Sequence, residues 1–232
     1  MINVIKNKIK IFLDFIKPVK DIAYFLLLFL IFEFVWKLCI DIGDDREQLI
    51  ILGNNITHLT LPFCQFDAQF VYFCIHNILN YPNYAIDGTL IYFEGDNNLK
   101  MNIIWSCSSI KQIALFTFIM LCYHGPWKKK MTFIPLSIMF LILINSLRLT
   151  ISAFLIKDGF PNWFIPLNEV LKGVKWDQTP ATYWMFYKDW YHAFHDGFFT
   201  WVYYDGIMFL LWLHWQERIN IPYQKHKTRK PV

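Results

Sequence analysis

Cys107, Arg148 and His195 sit in or beside strongly apolar runs, where an ionisable or nucleophilic side chain is costly and marks a candidate functional site. A thiol, a guanidinium and an imidazole are a sufficient set for nucleophilic acyl chemistry. The cysteine attacks as thiolate, the histidine takes its proton and returns it to a leaving amine, and the arginine stabilises the oxyanion. The stretch NIIWSCSSIKQIALF, residues 102 to 116, adds supporting groups. Ser106 is a candidate N-cap for the helix that follows, and Lys111, one turn along, is a candidate cation to lower the Cys107 pKa. Asn145, three residues before Arg148 and on the same helix face, is placed to orient the guanidinium or to add a hydrogen-bond donor.

Four apolar stretches must carry these residues: about 22 to 40 (IAYFLLLFLIFEFVWKLCI), 108 to 123, 131 to 151 and 198 to 216. Each approaches the roughly 20 residues that cross a bilayer. With 56% hydrophobic and 19% aromatic residues, 23 of them Phe, the 232-residue chain is too apolar for an ordinary soluble domain. The expectation is an all-α polytopic membrane protein, one domain over 1–232, with about four to six transmembrane helices. The first span has too long a core, and no small-residue cleavage site after it, for a removed signal peptide.

The net charge of +4 matters through its distribution. Lys6, Lys8, Lys10, Lys17 and Lys20 precede the first span, Lys128, Lys129 and Lys130 fill one short loop, and Lys225, Lys227, Arg229 and Lys230 form the tail. The positive-inside rule places all three clusters, and with them both termini, on the cytoplasmic side. Asp41, Asp44, Asp45 and Glu47 then lie outside. Counting up from the cytoplasmic loop, Cys107 is about 17 residues above His124 and Arg148 about 17 above Met131, or roughly 25 Å each at the helical rise. His195 is about 23 residues above Arg218, close to the same outer boundary.

Two further elements are expected. Residues 89 to 105 read as an outer β-hairpin, TLIYF, a Gly95-Asp96-Asn97-Asn98 turn, then LKMNIIW running into Cys107. Residues 49 to 80 are broken by Asn54, Asn55, Pro62, Gln65, Asp67 and Gln69 and read as an interfacial amphipathic element, with a single extra span as the alternative.

At these motifs the chain resembles the exosortase/archaeosortase membrane transpeptidases, and within them the compact bacterial members. The residues that carry the likeness are Ser106-Cys107-Ser108-Ser109, Asn145-Ser146-Leu147-Arg148 and Phe194-His195-Asp196, within about 86 to 216. Ser109 stands where that family usually has glycine. The resemblance implies a cysteine peptidase of the inner membrane, acting at its periplasmic face on exported proteins. Their carboxy-terminal tail would consist of a short motif, a transmembrane helix and a basic cluster. The cut acyl group would pass to an unidentified acceptor, a glycan or a lipid among the candidates. The resemblance implies no cofactor, and no nucleic acid as partner.

Other readings of the same residues stand beside this one. His192 is the alternative base to His195. Arg148 read alone is an interfacial anchor, and Lys111 a side chain reaching outward to the headgroups. Together the two cations would instead line the path of a small anion transporter or mark a non-enzymatic membrane subunit. The remaining cysteines (39, 64, 74 and 122) have neither C-x-x-C pairing nor regular spacing, so no disulfide framework or zinc site is expected.

Overall fold

The computed structural model describes residues 2–42, 48–93, 100–198 and 200–228. Asp44, Asp45 and Glu47, the turn 95 to 98, and the tail residues Arg229 and Lys230 lie outside them. The chain is mostly helical, with two small antiparallel sheets. Helix α1 runs Ile2–Cys39 and leads into a sheet of β1 (Ile40–Ile42), β2 (Leu49–Ile51) and β3 (Asn54–Asn55). Helix α2, Leu61–Phe73, continues through a wide π-type turn, Cys74–Ile78. The second sheet follows, with β4 (Tyr84–Asp87), β5 (Leu90–Phe93) and β6 (Lys100–Asn102) in that order.

Helix α3 spans Ile110–Cys122 and α4 spans Trp127–Ile156. The short amphipathic α5, Phe164–Lys172, closes on Gly173 in the left-handed conformation, φ 69°. The remainder is helical, as α6 (Pro180–His192), two π-type segments (Ala193–Phe198 and Thr200–Gly206), α7 (Ile207–Trp215), a third π-type segment and α8 (Ile221–Thr228).

Among the described residues two helices are long and apolar enough to cross a bilayer, Val19–Cys39 within α1 and the 30-residue α4. At 1.5 Å per residue α4 is about 45 Å long. Its interior Pro135 is the kind of helix breaker that neighbouring helices accommodate in a membrane bundle. The outward faces of both are built from large apolar side chains, such as Leu30, Phe34 and Leu38 on α1 and Leu136, Met139 and Leu143 on α4. Faces of that length and composition suit a hydrocarbon surrounding. The expected span 108–123 folds as the thirteen-residue α3, and 198–216 as a π-type segment joined to α7.

Residues 49–80, read from the sequence as an interfacial element, hold two kinds of structure. They form a strand pair and then α2, whose buried face (Cys64, Asp67, Ala68, Val71, continued by Cys74 and Ile75) is packed against α4. The polar residues that look like interruptions in the sequence split by face: Asp67 is 3% exposed, whereas Gln65 and Gln69 point outward.

Buried apolar side chains form two cores. One gathers α2, the second sheet, the turn Trp105–Cys107 ahead of α3, the last turns of α4, Phe164 and Trp190 around Cys107. The other joins α1, α3, the first half of α4 and α7 around Phe116, Trp212 and Trp215.

Candidate active site

Strand β6 aims the chain at Cys107. Its pairing with β5 runs past Asn102, where the Ile103 amide donates to the Thr89 carbonyl oxygen at 3.0 Å and Thr89 Oγ1 to Asn102 Oδ1 at 3.1 Å. Trp105–Cys107 then forms one 3₁₀ turn, in which the Cys107 amide reaches the Ile104 carbonyl oxygen at 2.9 Å. The Ser108 hydroxyl locks that turn by donating to the Trp105 carbonyl oxygen at 2.6 Å. Cys107 is thereby 7% exposed and fixed in a rigid bend just ahead of α3.

His195 arrives from the helical stretch after α6. Its Nε2 lies 3.8 Å from Cys107 Sγ, within hydrogen-bond reach for sulfur. Its ring stacks on Tyr191, one turn earlier, with centroids 4.8 Å apart and planes at 17°. The alternative base, His192, makes its aromatic contact edge-on with Tyr191, at 5.7 Å.

Arg148 comes from α4 and is 2% exposed. Its Nη2 donates to the Cys107 carbonyl oxygen at 2.9 Å, and its Cζ lies 4.8 Å from the centre of the Tyr204 ring, a cation–π contact. Its Nε–H has no acceptor among the described residues. The three residues singled out by type and depth therefore converge at one point, each from a different element.

Two supporting expectations turn out differently, and the third, Asn145, meets the guanidinium only by way of Tyr204. Ser106 is exposed and caps nothing, because α3 starts later: Ser109 is its N-cap residue, with no side-chain cap bond. Lys111 turns to Glu33 on α1, at 2.9 Å from its carboxylate, so its charge is committed away from the thiol. Asn145 does not touch the guanidinium. Its Nδ2 donates to Asp67 Oδ2 at 2.9 Å, and its Oδ1 accepts from the Tyr204 hydroxyl.

Asp67 and Tyr204 are the members that sequence reasoning missed. Asp67 Oδ1 also accepts from the Ser146 hydroxyl at 2.6 Å. The only sequence signal for Asp67 was an acid inside an apolar run, the same signal that identified Arg148. Tyr204 is one of many aromatic residues in its stretch and carried no signal. Among the described residues no group of three or more His, Cys, Asp or Glu side chains is arranged to hold a metal ion.

The arrangement supplies a thiol, a base within reach of it, and a buried cation with a spare donor at the same carbonyl. Those are the parts of covalent acyl transfer. No curated protein and no solved structure matches the chain. One family model does, that of the transmembrane exosortases, over residues 49–165, a stretch that contains Cys107 and Arg148 and ends before His195.

Proposed function

Since the chain belongs to the transmembrane exosortase family, we propose that it is a membrane-embedded cysteine transpeptidase with Cys107 as nucleophile, His195 as general acid and base, and Arg148 as oxyanion stabiliser. The observation that carries this reading is the 3.8 Å approach of His195 Nε2 to Cys107 Sγ, beside a guanidinium bonded to the cysteine's own carbonyl.

In the first half-reaction the thiol proton passes to His195 Nε2 and the thiolate attacks a peptide carbonyl, forming a C–S bond. The carbonyl oxygen becomes an anion facing Arg148. The C–N bond then breaks as His195 returns the proton to the leaving amine, which yields a thioester on Cys107. A hydroxyl or amine acceptor, deprotonated by His195, releases the acyl group. Positioned proton transfer contributes about 10²- to 10⁴-fold and an oxyanion donor about 10²- to 10³-fold to such a rate.

The substrate is an exported protein with a carboxy-terminal tail of motif, apolar helix and basic cluster, cut at the outer face of the inner membrane. The basic clusters at Lys128 to Lys130 and near the carboxy-terminus support an orientation with the site outside. The test is processing of such a tailed protein in cells carrying Cys107→Ser, with membrane accumulation of the variant checked by immunoblot. Complete loss of the cut product is expected. Full processing by the serine variant would end the proposal.

A further inference from the structure

We infer that Asp67 is a positioning residue for Arg148, acting through Asn145 and Tyr204 as a hydrogen-bonded relay that sets where the guanidinium stands. The inference rests on the acyl-transfer reading above and names a residue that reading does not use. Arg148 is 2% exposed, and no carboxylate within ion-pair distance of it is found among the described residues. The nearest acid joined to it by printed contacts is Asp67, which reaches it by way of Asn145 and Tyr204.

The donors of the relay all run toward Asp67. Asn145 Nδ2 donates to Oδ2 at 2.9 Å and Ser146 Oγ to Oδ1 at 2.6 Å. A carboxylate is acceptor-only, so it dictates which end of the Asn145 amide faces it. With Nδ2 turned to Asp67, Oδ1 is left to accept the Tyr204 hydroxyl. That bond pins the Tyr204 ring, 6% exposed, beneath the guanidinium at 4.8 Å. The Arg148 fork is then held with Nη2 on the Cys107 carbonyl and Nε unclaimed.

An asparagine at position 67 alone can still accept from Asn145 through Oδ1 while its Nδ2 donates to the Ser146 hydroxyl, which donates on to the Ile142 carbonyl oxygen. Asn145→Asp, in contrast, sets two acceptor-only carboxylates against each other, so the side chain at 145 must turn from Asp67 and shift the Tyr204 hydroxyl with it. Exchanging the two types, Asp67→Asn with Asn145→Asp, restores every donor–acceptor match along the relay. The amide introduced at position 67 donates, the carboxylate introduced at position 145 accepts from it and from Tyr204, and the charge stays in the cluster. A purely space-filling role predicts no such reciprocal rescue.

Two thiol probes on the full chain in detergent read this without a peptide substrate. p-Nitrophenyl acetate acylates Cys107 through a tetrahedral oxyanion: C–S forms, C–O breaks, nitrophenolate leaves, and the thiol proton goes to His195. Iodoacetamide displaces iodide at carbon with no oxyanion. Asn145→Asp is expected to slow acylation about 10²-fold while alkylation of the same thiol changes by less than about 3-fold, the loss a small misplacement of a catalytic group produces. The exchange variant is expected to recover acylation to within about 10-fold of the native chain.

If the native Cys107 acylates no faster than Cys39, Cys64, Cys74 and Cys122, the nucleophile assignment falls and this inference with it. If it acylates selectively and Asn145→Asp matches it, or if the exchange variant is as slow as Asn145→Asp, the positioning role is overturned while the nucleophile stands.

Discussion

The guanidinium of Arg148 is hydrogen-bonded to the main chain of Cys107, Nη2 to carbonyl oxygen at 2.9 Å, although 41 residues separate the two. The cation is thus anchored to the nucleophile's own peptide, and any shift of α4 against the Trp105–Cys107 turn moves both together. A planar fork can hold that carbonyl with one N–H and present another to a reacting oxygen. A lysine ammonium is a compact point charge without that geometry.

Arg148→Lys should therefore keep the fold and lose the chemistry. Acylation of Cys107 by an ester probe is expected to fall about 10²-fold or more. Stopped-flow release of nitrophenolate measures it, with thermal unfolding of the same sample as the control. A lysine variant as fast as the native chain would show that charge alone is enough.

The two histidines meet the same Tyr191 ring in different ways. His195 Nε2 meets the thiol, whereas His192 packs edge-on against Tyr191. Under the proposed mechanism His195→Ala is expected to reduce turnover about 10²- to 10⁴-fold, and His192→Ala by no more than a few fold. Substrate processing by the two variants, compared at equal membrane abundance, decides between them. Greater damage from His192→Ala would reassign the base.

Lys111 and Glu33 make the opposite kind of prediction. Their pairing joins α3 to α1, an apolar helix whose membrane-crossing part is only 11% buried in the protein. Removing one charge strands the other, so Lys111→Met should destabilise by about 2 kcal/mol, and Lys111→Met with Glu33→Met should recover most of that. Neither should change the pH profile of Cys107 alkylation. A profile displaced by Lys111→Met alone would return the lysine to the site.

Spacing made the common level of Cys107 and Arg148 legible, because equal residue counts from one loop are equal heights on two helices. What spacing cannot supply is azimuth. Lys111 is one turn from the cysteine in sequence, but the helix turns it toward Glu33, a residue 78 positions away. Asp67 was hidden for the same reason, since its partners Asn145 and Ser146 lie on another helix and give no local pattern. The Ser106 cap failed on a boundary: a 3₁₀ turn delays α3 to Ile110. Wide turns between His192 and Ile207 blur the 3.6-residue periodicity from which His195 and Tyr204 would have been placed.

Asp177 supports a pH prediction outside the apolar helices. In the loop before α6 its Oδ1 accepts from the Thr182 hydroxyl at 2.5 Å, the Thr179 amide at 3.0 Å and the Thr179 hydroxyl at 2.8 Å. These bonds, led by that from Thr182, hold its carboxyl below the usual carboxylate range. A depressed folded-state pKa contributes stability that is present above the ordinary Asp pKa and lost as pH falls through the depressed one. The amide of Thr179 should lose protection below about pH 4, the ordinary Asp value. Asp177→Asn should remove that pH dependence, as read by hydrogen exchange at several pH values. An unchanged dependence in the variant would assign it to another group.

Gly125 has the clearest steric requirement in the chain. It lies between α3 and α4 at φ 138°, and a Cβ there would meet Trp215 Cζ2 at 2.6 Å. Both terms oppose any larger residue: the backbone angle is one that side-chain-bearing residues rarely adopt, and the ring cannot retreat. Trp215 is fully buried, packs at 5.1 Å on Phe133, and donates its indole N–H to the His124 carbonyl oxygen at 3.2 Å. Gly125→Ala is therefore expected to cost about 2 kcal/mol, the scale of overpacking plus backbone strain, and to lower the melting temperature by about 5 °C. Because Trp215 belongs to the core around Trp212 and Cys107 to the other, the folded variant should acylate at the native rate. A melting curve in detergent and a burst measurement on one preparation test both halves. An unshifted melt would mean that the α3–α4 loop yields where its contacts say it is held, and a slowed burst would mean that the two cores are mechanically coupled.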